Sequence, residues 1–175
     1  MDEHIRKLVF PDFFADLDEE RRSIADLREA WNSNVQTQIE ELGISGSTGE
    51  RFGAYLALAR IRHHAAVPYF VDRLDDELKR ASSKSGDACG CLCGIFHDLG
   101  AKEAARALER VLQTAPCGST RHSAAGALGT CGDRETIEVL ENTVRNDVGT
   151  DYEGRPVAGA AREAISKLTS RLAET

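Results

Sequence analysis

Apolar residues near the start of the chain fall at Ile24, Leu27, Trp31, Val35, Ile39 and Leu42. Those steps of three and four place them on one face of a helix. Asp18, followed by Glu19 and Glu20, reads as the helix N-terminus, with acids set against the helix dipole. Gly43 reads as its C-terminal stop. The polar run Asn32-Ser33-Asn34 interrupts the stripe and predicts an antiparallel pair in place of one long helix. Upstream, Asp2 to Phe10 has the pattern of a short amphipathic helix. Pro11 can open a further turn, where its missing N–H costs nothing.

Ser45-Gly46-Ser47-Thr48-Gly49 then marks a boundary, and Ser47 with Glu50 three residues later has the form of a capping box. Beyond it the chain repeats itself. Ala57-Leu58-Ala59-Arg60-Ile61, continuing to Val67, Tyr69 and Phe70, overlays Ile95-Phe96-His97-Asp98-Leu99, continuing to Ala105, Ala107 and Leu108. Both overlay Ala127-Leu128-Gly129-Thr130-Cys131, continuing to Ile137, Val139 and Leu140. Gly100 and Gly132 occupy the turn where Arg62 stands in the first unit. A half-unit, Ala160 to Leu168, repeats the first helix only. Each unit reads as helix A, a tight turn and helix B. Small residues (Ala54, Ala57, Ala124, Ala127) stand where helices must approach closely, and Asp133 is placed to cap the third helix B. A single hairpin of this kind cannot bury its apolar face, whereas stacked hairpins can. The expected fold is therefore all-α. It is a short α-α superhelix over 46–175, about three helix pairs plus a terminal helix, with an acidic helical cap over 1–45 packed on the array.

The third unit, Arg121-His122-Ser123-Ala124-Ala125-Gly126-Ala127-Leu128-Gly129-Thr130-Cys131-Gly132-Asp133 continuing through Ile137-Glu138-Val139-Leu140, resembles the HEAT-like repeat first described in phycobilin lyases. The shared pattern is a basic residue, an Ala-rich helix, Leu-Gly, a Gly-Asp turn and an apolar second helix. The second unit departs from it by Cys and Gly within helix A, and the first lacks the Gly-Asp turn. The resemblance spans about Gly49 to Leu172. It implies a HEAT-like solenoid acting as a binding scaffold. By the same analogy it admits a lyase or chaperone for a bilin, which would need a large pocket. It also admits a nucleic-acid-processing protein, which would need a basic, aromatic-bearing face.

Charge narrows these options. The chain carries a net −7. Residues 1–45 hold eleven acids against five bases, while the remainder is close to neutral. A phosphate backbone calls for the opposite sign, and the single tryptophan, Trp31, lies outside the repeats. Nucleic acid is therefore not the expected partner. No run approaches the roughly 20 apolar residues that span a bilayer, and the N-terminal residues lack the basic-then-apolar form of a secretory signal. The expectation is a cytoplasmic protein with reduced thiols and no membrane contact.

The five cysteines are odd in number, and three crowd together at Cys89, Cys91 and Cys93. Cys89, Cys93 and His97, at i, i+4 and i+8, could present thiolates and an imidazole to a soft metal. No second cluster completes a four-ligand set, and Cys is also a small core hydrophobe. Packing is therefore the first reading, and no metal or other cofactor is expected. His63-His64 reads as a surface turn, and His122 as a half-buried helix residue. No phosphate-binding loop, dinucleotide fingerprint, nucleophile elbow or His-Glu-x-x-His occurs, so no catalytic residue is assigned.

The links between hairpins, Asp75 to Asp87, Thr114 to Arg121 and Asn146 to Pro156, are long for such a repeat. All join a helix B to the next helix A, so they share one edge. Loops held on a rigid array are a usual place for recognition. The expected partner-binding residues are Asp75, Asp76, Glu77, Asp87, Arg121, Asp151, Tyr152, Glu153 and Arg155, with Lys84 beside them and Tyr152 as the anchor. The expected function is non-catalytic: a protein-interaction module or adaptor, in its sharper form an immunity-type protein masking a basic partner that the acidic N-terminal residues would steer.

Overall fold

The computed structural model describes residue 9 and residues 17–83 and 87–174. Its helices, in order, are α1 (Leu17–Glu29), α2 (Ser33–Ser45), α3 (Thr48–Arg62), α4 (Val67–Arg80), α5 (Ala88–Leu99), α6 (Ala105–Thr114), α7 (Gly118–Cys131), α8 (Thr136–Asn146) and α9 (Val157–Ala173). Short 3-10 turns stand at His63–Ala66 and Lys102–Ala104. Among the described residues the only β-pairing is one isolated bridge, Thr150 to Pro156. Apart from Val9, the helix expected over Asp2 to Phe10 lies outside the described residues, as does Lys84. The chain forms two compact units, Met1–Ala66 and Val67–Thr175.

In the first unit, Asn32 breaks the apolar stripe as its polarity predicts. Its side-chain oxygen accepts the N–H groups of Asn34 and Val35 at 2.9 and 3.1 Å and caps α2. Leu27, Val35 and Ile39 are buried, while Trp31 and Leu42 are half-buried. Gly43 does not stop the helix. It is a buried interior position, and α2 runs on through Ser45. The Gly43 carbonyl accepts the Tyr55 hydroxyl at 2.7 Å, which fastens α3 to α2. The capping box forms: the Ser47 hydroxyl accepts the Glu50 N–H, and the Glu50 carboxylate accepts the Ser47 N–H at 2.9 Å. The division expected after residue 45 falls between α2 and α3, which the Tyr55 bond holds together; the compact units part after Ala66 instead. The turn that ends α3 is made by His63, with φ of 47°, and not by Arg62. That conformation is normally left to glycine, the residue found at the next equivalent turn, Gly100, with φ of 60°.

The second unit is built as two layers of serially packed helices. The A-type helices α5, α7 and α9 pack in succession, as do the B-type helices α4, α6 and α8. Each B helix also lies on the A helix that follows it: α4 on α5, α6 on α7, α8 on α9. This is the arrangement the repeat demands. Phe70, Leu74, Leu92, Phe96, Leu108, Leu128, Leu140 and Leu168 are fully buried between the layers. Phe70 meets Phe96 edge to face, centroids 6.3 Å apart. Where α7 and α9 cross, Gly129 leaves so little room that a Cβ would lie 3.1 Å from the Ala164 Cα. Gly132, at the Gly-Asp turn, is required by proximity and not by φ, because a Cβ would sit 2.5 Å from the Leu128 carbonyl oxygen. The Asp133 carboxylate then accepts the Glu135 and Thr136 N–H groups at 3.0 and 3.1 Å, starting α8.

Candidate functional site

One edge of the second unit gathers the starts of α5 and α7 and the long link 147–156. Asp87 caps α5 by accepting the Gly90 N–H at 2.8 Å. The Thr120 hydroxyl of α7 reaches the same carboxylate, 3.0 Å from each oxygen. One residue on, Arg121 grips Asp147 through Nε to Oδ2 at 2.7 Å and Nη2 to Oδ1 at 3.1 Å. Its Nη1 donates to the carbonyls of Ala115 and Pro116 at 2.9 and 3.2 Å. A single guanidinium therefore ties two links and one helix together.

The link 147–156 is a built loop. Asp147 Oδ1 accepts the Gly149 N–H at 2.8 Å. Asp151 is its keystone, buried and satisfied from four directions. Oδ1 accepts the N–H groups of Glu153 and Arg155 at 2.9 and 2.8 Å, and Oδ2 accepts Arg155 Nε at 2.7 Å. The Asp151 N–H in turn donates to the Arg155 carbonyl at 2.9 Å. Gly154 takes φ of 81° at the tip. Gly118 carries no side chain because a Cβ would collide with the Thr150 carbonyl. The Arg121 hydrogen bonds hold the Asp147 carboxyl below its usual value. Burial alone would raise Asp151, but the N–H donors of Arg155 and Glu153 and the Arg155 guanidinium outweigh it and hold that carboxyl low as well. From this braced frame two apolar side chains stand out, Val148 at 97% and Tyr152 at 74% exposure.

A groove of about 240 Å³ runs along the A-helix layer. Gly94 and His97 line it from α5, His122, Ser123, Gly126 and Ala127 from α7, and Ala160, Glu163, Ala164 and Lys167 from α9. The His122 Nε2 lies 4.0 Å from Asp151 Oδ2, so the groove reaches the braced loop.

Residues 120–146 match the family model of the PBS lyase HEAT-like repeat. The chain carries a HEAT-like repeat. The matched stretch runs from Thr120 in α7, through the Gly132–Asp133 turn, to the end of α8: one A helix, one turn and one B helix. No curated protein matches the chain.

Within this HEAT-like array most of the charged residues expected to face a partner are used internally. Asp75, Asp76 and Glu77 are not in a link, because α4 continues to Arg80. Pairs three residues apart sustain that extra turn, Arg73 and Lys79 to Asp76 at 2.9 and 3.2 Å and Arg80 to Glu77 at 3.2 Å. Asp75 is held by Arg110 of α6 at 2.8 and 2.9 Å, and Glu77 is only 2% exposed. Asp87, Arg121 and Asp151 are framework residues. Arg155 joins them through Asp151 and also meets Glu153 at 3.0 Å. Tyr152 is the most exposed of the set, at 74%, and Glu153 and Arg155 are exposed beside it. Val148 was missed; its signal was an apolar residue between Asp147 and Gly149, inside a turn.

The Cys89, Cys93, His97 stripe does not hold together. A four-residue step overshoots one helical turn by about 40°, so two steps carry the third residue well round the helix. Cys89 and Cys93 are fully buried, whereas the His97 side chain is 44% exposed beside Asp98. Hydrogen bonding to Cys89, with burial, pushes the Cys93 thiol well up, which leaves it a neutral packing residue. Among the described residues no three His, Cys, Asp or Glu side chains are grouped to hold a metal ion. All five cysteines are free thiols, and no helix among the described residues is long and apolar enough to cross a membrane.

Proposed function

We propose that this chain is a non-catalytic protein-interaction module that meets its partner with the 147–156 edge of the HEAT-like array. The observation that carries the reading is the display of Val148 and Tyr152 on a loop braced by Arg121, Asp147, Asp151 and Arg155. A solvated loop needs no such bracing. A rigid loop presenting an aromatic side chain has already lost the entropy that binding would remove, which favours association. Aromatic anchors of this kind dominate interface energetics.

The bilin-lyase alternative draws less support from the geometry. The groove of about 240 Å³ lies below the range of about 300–1,000 Å³ typical for drug-sized ligands, and it shows no paired nucleophile and base. In its sharper form the proposal is an adaptor or immunity-type role against a basic partner, favoured by the eleven acids among residues 1–45. Five free thiols suit a reducing, cytoplasmic setting.

The test compares the full chain with a Val148→Ser/Tyr152→Ala variant in affinity capture from source cells, followed by calorimetric titration of the purified partner. The double variant should bind at least about tenfold more weakly. Unchanged affinity would remove the loop from the interface. A strong salt dependence of the association rate would support the basic partner, and a flat one would count against it.

A further inference from the structure

We draw no further inference here: the strongest candidate, the groove along the A-helix layer between α5, α7 and α9, is lined largely by small residues, and nothing in the structure shows what covers it.

Discussion

Arg121, near the start of α7, holds Asp147, at the end of α8, in a bidentate grip of 2.7 and 3.1 Å, with the side chains only 18% and 14% exposed. The pair crosses the helix hairpin from its first turn to its last. It also sets the position from which Val148 and Tyr152 project.

Removing one partner should therefore cost more than a surface ion pair would. Arg121→Ala strands a half-buried carboxylate and two carbonyls, and should lower stability by about 2 kcal/mol in urea unfolding. Arg121→Lys should recover little of this, because an ammonium cannot reproduce the forked geometry. A loss below about 0.5 kcal/mol would mean that the pair behaves like an exposed one.

The same pair sets a pH dependence. The folded Asp147 carboxyl sits below 3.8, its usual value and the one it regains on unfolding. Its contribution is complete above 3.8 and is lost as pH falls through the lower folded value. At neutral pH Asp147→Asn should be less stable than wild type. The gap should narrow as the pH is stepped down through the acid range in parallel unfolding curves, and a gap independent of pH would contradict the assignment.

Two glycines should respond in opposite directions. Gly118→Ala drives a Cβ into the Thr150 carbonyl, so the loop must shift, at about 1–3 kcal/mol. Gly126→Ala places its methyl in open space within a helix and should gain about 0.5–1 kcal/mol. Thermal unfolding distinguishes them. Equal effects would show that the close approach of α7 to the loop is not tight.

The thiols should divide by burial. Burial raises Cys131 to about 11, and its Sγ donates to the Phe96 carbonyl at 3.1 Å. Cys93 is raised too, by its bond to Cys89 and by burial. Both should resist a thiol-reactive disulfide reagent in the native protein and react once it is unfolded. Peptide mapping that finds either one labelled at the unfolded rate would overturn this.

Helix positions and turns could be read directly from the chain, because spacing of apolar residues and capping chemistry are local. Asn32, Ser47 and Asp133 act as their side chains dictate. Gly43 was misread because a glycine within a stripe looks the same whether it stops a helix or admits a neighbouring Tyr55 hydroxyl. The link after α4 was placed too early because the charged run from Asp75 to Lys79 resembles a solvated loop until the i,i+3 pairs are seen. Asp87, Arg121 and Asp151, expected among the partner contacts, are bonded within the fold, and a sequence gives no sign that Asp151 and Arg155 satisfy one another.

The all-α character, the repeat of hairpins and the small residues at helix crossings follow from the order of residues alone, because they depend on periodicity and on neighbours a few positions away. Tertiary structure alone decided which charges are consumed, which glycine is tight and which open, and that Val148 and Tyr152 stand out beside a groove. Those outcomes depend on groups 25 to 40 residues apart in the chain, such as Arg121 with Asp147 or Gly129 with Ala164. Only packing brings such groups within bonding distance.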